Sequence, residues 1–113
     1  MDRVNIARQQ ISDAGLKPAY SPAVEGGHCV ENSEGKVVLQ VCNMREDDIT
    51  VTIRSGYTMN GLKLQDRVVT VPAASCVFIG PFEPSIYNQP GTKHVWIDYS
   101  AVEDVEIAAL LIT

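Results

Sequence analysis

The sequence predicts an all-β fold: a compact antiparallel sandwich or barrel of about seven strands with an extended N-terminal arm. Three observations lead there. In residues 49–55, Ile49, Val51 and Ile53 alternate with Thr50, Thr52 and Arg54, the two-residue period of a half-buried strand. Similar β-branched runs recur through residues 27–113, with turn residues between them. The last run is apolar on both faces: Val105, Ile107, Ala109 and Leu111 on one, Ala108, Leu110 and Ile112 on the other. Such a strand belongs at the centre of a sheet or under cover on both sides.

The 113 residues suit one domain, and 45% hydrophobic with 20% charged residues is a globular composition. Residues 1–26 differ from the rest. They are polar, with isolated apolar residues at Val4, Ile6, Ile11, Leu16 and Tyr20, and Pro18 and Pro22 disfavour helix around Tyr20. The reading is an arm over 1–26, extended or with one short strand, and a sandwich over 27–113. A short helix is the alternative, because Val4, Ala7, Ile11 and Ala14 fall near helical spacing.

The strands follow in order. Residues 28–31 and 36–43 flank Asn32-Ser33-Glu34-Gly35 and read as a hairpin. Residues 36–43 are apolar on both faces at their start, which suits a central strand. Arg45-Glu46-Asp47-Asp48 is a charged turn before the strand at 49–55. Residues 56–61 form a loop around Tyr57, Met59 and the turn pair Asn60-Gly61. Residues 67–71 and 76–80 read as a tight hairpin through Pro72. Three prolines make residues 81–91 a surface loop. Strands at 93–100 and 105–113 complete the set.

Net charge is −5, and the nine Lys and Arg are scattered singly. That argues against a phosphate-backbone partner. No apolar stretch reaches the ~18 residues of a membrane span. Cys29, Cys42 and Cys76 are odd in number and widely spaced. They read as three free thiols of a chain folded in cytosol, where Met1-Asp2-Arg3 does not open a signal peptide.

Catalytic chemistry needs acid, base or nucleophile groups held together. His28 and Cys29 are adjacent, so a strand points them to opposite faces. Glu46-Asp47-Asp48 lacks the alternating oxygen ligands and glycine of a calcium loop. Trp96 and Asp98 share one strand face, Ile97 and Tyr99 the other; Trp96 reads as a packing or interface residue. The expectation is a protein without catalytic residues, metal or cofactor.

Several stretches together carry a resemblance. They are Asn32–Gly35 leading into 37–43, then 49–53, then Gly61 to Ala73 with its Asp66-Arg67-x-x-Thr70-Val71-Pro72-Ala73 run. Ile79-Gly80-Pro81-Phe82, Tyr87-Asn88 and residues 95–105 follow. In this order they resemble small β-sandwich virion proteins encoded among the head genes of tailed bacteriophages. The resemblance covers residues 15–111 and implies a capsid cement or decoration protein on the capsid exterior, made in the bacterial host cytoplasm. It implies the major capsid protein and copies of itself as partners, in a homotrimer. A head–tail joining or tail subunit is the alternative on the same scaffold, and a carbohydrate-binding module with Trp96 as platform is the alternative of another class. Within this reading the partner-interface candidates are Val4, Ile6, Ile11 and Tyr20 on the arm, with Phe82, Ile86 and Tyr87 on the proline-rich loop. Aromatic and aliphatic anchors concentrate interface energy, and proline lowers the ordering cost of a loop.

Overall fold

The structure is a computed structural model that describes residues 3–56, 58–59 and 61–112. Tyr57 and Asn60 of the expected loop, and Thr113 of the last run, lie outside the described residues. In chain order the strands are β1 (Val4–Asn5), β2 (Arg8–Gln10), β3 (Ser21–Pro22), β4 (His28–Glu31), β5 (Val37–Asn43) and β6 (Ile49–Ile53). β7 (Thr58–Met59), β8 (Leu62–Lys63), β9 (Arg67–Val71), β10 (Ser75–Ile79), β11 (His94–Tyr99) and β12 (Val105–Leu111) follow, with one helical turn α1 (Pro84–Tyr87) between β10 and β11. All seven expected strands form, as β4, β5, β6, β9, β10, β11 and β12.

They build two facing sheets. Sheet I has the order β1-β4-β11-β6-β9, and sheet II the order β10-β5-β12-β2, with β3 also pairing β12. Both are mixed and not wholly antiparallel, because β1 runs parallel to β4 and β2 parallel to β12. The alternating residues of the two inner faces make the core. Val30, Val51, Ile53, Val71, Val95 and Ile97 of sheet I meet Val37, Leu39, Val41, Val105 and Ile107 of sheet II.

Two local expectations are corrected. β4 and β5 are not a hairpin, nor are β9 and β10: each pair crosses from sheet I to sheet II. A turn cluster bends the chain equally well within a sheet or between sheets, and what lies across the bend decides. At the first crossing Asn32 is buried and donates to the Phe82 carbonyl at 3.0 Å and to Asn88 Oδ1 at 2.9 Å. Asn88 donates back to the Asn32 carbonyl at 3.0 Å. The third correction is to residues 81–91, which hold α1, capped by the Glu83 carboxylate. Gly56 has no room for a side chain here, since a Cβ would collide with the Asn88 carbonyl.

The segment read as an arm is stitched into both sheets: β1 to sheet I, β2 and β3 to sheet II. The short helix does not form. Between β2 and β3 the chain loops outward over sheet II. Gln9 pins this loop, donating to the Ala19 carbonyl at 2.7 Å and accepting from the Ala19 amide at 2.8 Å. The Tyr20 hydroxyl meets Gln40 Oε1 of β5 at 2.8 Å.

The cysteine expectation is also overturned. Cys42 and Cys76 are joined as a disulfide, and Cys29 is free. The two cysteines are direct partners in the β5–β10 register. A separation of 34 residues hid that pairing. Denatured, unreduced protein should therefore titrate one thiol per chain, and three after reduction. Closing a loop of this size is worth roughly 3–4 kcal/mol in the chain-entropy model, so reduction should lower the urea midpoint.

Ile6 is 7% exposed and belongs to the core cluster. Ile6→Ala should cost roughly 2–4 kcal/mol, read by urea denaturation. Deleting residues 1–17 should abolish the cooperative transition. A truncated chain that melts as the full chain does would make the stitching dispensable.

Candidate functional site

Alternation along β11 puts Trp96 and Asp98 on the outer face of sheet I. A polar cluster gathers around Asp98. Arg3 Nη1 donates to Asp98 Oδ1 at 2.7 Å and also reaches the Ile97 carbonyl at 3.1 Å. Arg54 Nε donates to Asp98 Oδ2 at 2.6 Å, and Arg54 Nη1 to Asp66 Oδ2 at 3.0 Å. The Arg3 guanidinium lies 4.5 Å from the centre of the Trp96 ring, a cation–π stack. Burial alone would raise the Asp98 carboxyl, but the two arginine hydrogen bonds outweigh it and hold its pKa below the ordinary value. Both carboxylate oxygens are occupied by arginine, so this cluster fastens the chain start to β11 and presents no free acid or base.

Behind it, His28 points inward and is 1% exposed. Its Nδ1 is 2.7 Å from the Tyr99 hydroxyl. Burial first, and the positive charge of Arg3 second, push the imidazole pKa down. Burial, with Asp98 next, pushes the Tyr99 phenol up. Both groups are held neutral, as a satisfied polar pair in the core. Among the described residues no cluster of three or more His, Cys, Asp or Glu could hold a metal ion.

The outer face of sheet II is different. The loop between β2 and β3 crosses it and leaves a groove of about 390 Å³ against β5, β10 and β12. Ile11, Leu16 and Tyr20 form one wall, Phe78 and Leu110 the other wall and floor. Ile11, Tyr20 and Phe78 are 41%, 39% and 67% exposed. An exposed apolar groove flanked by an aromatic on each side is the shape that receives a partner side chain.

The structure separates the sequence-predicted interface residues into three groups. Ile11 and Tyr20 stand together at the groove. Ile6 and Phe82, the latter 4% exposed, lie in the core. There Phe82 packs edge-to-face with Tyr87, ring centres 5.7 Å apart, so its truncation reads out folding and not adhesion. Val4 is exposed but sits on β1 at the far side, and Ile86 is half-buried on α1. Phe78 and Leu110 were missed. The signal for Phe78 was present: Val77 and Ile79 point to the core, so Phe78 between them faces out.

The His28 environment fixes a pH response. In the unfolded chain His28 takes a proton near the ordinary histidine value of 6.5, whereas the fold holds the imidazole neutral to lower pH. The unfolded state therefore binds more protons in that window, and stability falls as pH falls through it. Urea denaturation at pH 7.5 and pH 5.5 should show a loss that His28→Gln reduces. Equal losses in both proteins would remove His28 as the cause.

Comparison with protein-family models, with curated proteins and with solved structures finds no match to this chain.

Proposed function

We propose that this chain is a non-catalytic structural virion protein: a capsid cement or decoration protein that stabilises a tailed-phage head by bridging capsid subunits. The observation that carries the adhesive role is the exposed apolar groove on sheet II, walled by Ile11 and Tyr20 on a pinned loop and by Phe78 on a strand. Its walls are held before a partner arrives, so little ordering cost opposes binding. The virion setting rests on the resemblance carried by Asp66 to Ala73 and Ile79 to Phe82. The Cys42–Cys76 disulfide suits a protein that works on a particle surface after leaving the host cytoplasm.

A head–tail joining or tail subunit would use the same groove at a lower copy number. A carbohydrate-binding module is disfavoured because Arg3 already lies against the Trp96 ring, the platform that a sugar would need.

Mass spectrometry of particles purified from cells carrying this gene should find the chain at many copies per head. Its absence from particles would sink the virion reading. Adding Ile11→Asp and Tyr20→Asp should weaken binding to undecorated heads at least about tenfold while the thermal transition is kept. His94→Asn should leave binding unchanged. Undiminished binding by the Asp variants would remove the groove as the adhesive surface.

A further inference from the structure

Each sheet of an open sandwich ends in edge strands whose outward backbone groups can pair with another chain, and folded proteins guard such edges. Three of the four edges here are guarded. β1 and β2 are two and three residues long. Arg8 of β2 is also engaged with Glu31 and Glu34, at 3.2 and 2.6 Å. On β9, Arg67 is the register partner of Ile53, a core residue, so this edge carries an inward-side charge.

β10 has none of these devices. It runs five residues in unbroken register with β5, from Ser75 opposite Asn43 to Ile79 opposite Leu39. Among the described residues it pairs with β5 alone. No charged residue occurs from Val68 to Phe82 in a chain of net charge −5. Two copies therefore meet along β10 with no charge on the strand itself, Arg67 of β9 standing beside Phe78 and Ile79. Phe78, on this edge, is the more exposed of the two phenylalanines at 67%.

The direction of the free backbone groups follows from the other side of β5. The Met44 amide donates to the Asp104 carbonyl and the Ile112 amide to the Lys36 carbonyl. Even-numbered residues of β5 thus turn their backbone groups toward β12, and odd-numbered ones toward β10. Cys42 and Cys76 accordingly form a non-hydrogen-bonded pair, in keeping with their Cα separation of 4.0 Å. Ser75, Val77 and Ile79 are then bonded to β5, while the N–H and C=O of Cys76 and Phe78 point away from the sheet.

We propose that β10 is a self-association edge, on which a second copy of this chain adds its own β10 antiparallel across a two-fold axis at Val77. Centred there, Cys76 of each copy faces Phe78 of the other. All four outward N–H and C=O groups of each strand find partners. The same patch serves both copies, which closes the assembly at two. Val77, already packed on the core rim, meets its symmetry mate. Sheet II becomes continuous across the pair, and Ile11 and Tyr20 stay exposed beside it. The unit is two-fold, in place of the homotrimer implied by the family resemblance. The inference does not rest on the virion reading, and its test needs no particle.

Analytical ultracentrifugation of the oxidised full chain over a concentration series should give a dimer at tens of micromolar. Phe78→Lys places a charge on the edge, and Phe78→Pro removes an outward N–H without removing a bond to β5. Both should sediment as monomers, with Phe78→Lys keeping its thermal transition. Val68→Lys, on the outer face of β9, should remain dimeric. In wild type the amides of Cys76 and Phe78 should exchange slowly with solvent water, and in Phe78→Lys quickly. A monomeric or trimeric wild type would overturn the proposal. So would a Phe78→Lys protein that stays dimeric, fast exchange at both amides in wild type, or a Val68→Lys protein that dissociates.

Discussion

β12 sets the terms for the rest of the molecule. It is apolar on both faces, so it cannot lie at a solvent-facing surface. Its inner residues Val105, Ile107 and Ala109 are satisfied by sheet I. Its outer residues Ala108 and Leu110 are 2% and 4% exposed, although nothing in the sandwich itself lies above them. The cover is the loop between β2 and β3, together with those two strands along the β12 edge. Burial of apolar surface, worth about 25 cal/mol per Å², thus brings the chain start to the chain end. The same excursion makes the groove, because the loop covers β12 and stops at Tyr20, short of Phe78.

A sandwich whose chain crosses repeatedly between sheets must bury polar backbone at the crossings. Two asparagines meet this need at opposite ends. Asn32, with Asn88, ties the β4–β5 crossing to the loop before β11. Asn43 donates to the Asp47 and Val71 carbonyls at 2.9 and 3.1 Å and accepts from the Arg45 amide at 3.0 Å. Asn43 thus uses both the donor and the acceptor of its amide, whereas Asn32 uses the donor alone, its buried Oδ1 having no hydrogen-bond partner among the described residues.

Charge is distributed to leave one side neutral. Arg3, Arg54, Asp66 and Asp98 neutralise each other on the outer face of sheet I. The fifteen residues from Val68 to Phe82 carry no charge, and they form all of β10 and all of β9 but its first residue, Arg67. A protein acidic overall therefore has one flank where Arg67 is the charge beside Phe78 and Ile79 and the β10 strand itself brings none to oppose apolar and backbone contacts. The adhesive groove and the free strand edge share that flank through Phe78.

The sequence by itself determined the strands, because strand periodicity is local: alternation at Ile49–Ile53 and along β11 reports which face each residue takes. It also determined that β12 is central or covered on both faces, since no exposed position tolerates two apolar faces, and the structure places it between β5 and β2. It could not determine which sheet each strand joins. The residues of a turn permit a hairpin or a crossing, and the choice between them lies with distant partners such as Asn88 and Phe82. The disulfide was hidden for the same reason: Cys42 and Cys76 meet only through the β5–β10 register. Of the groove, Ile11 and Tyr20 were legible as spaced apolar residues in a polar segment. Ile6 looked identical to them in sequence yet went to the core. One-dimensional spacing shows that a residue is apolar; only the tertiary path of the chain decides whether it meets the protein's own core or open solvent.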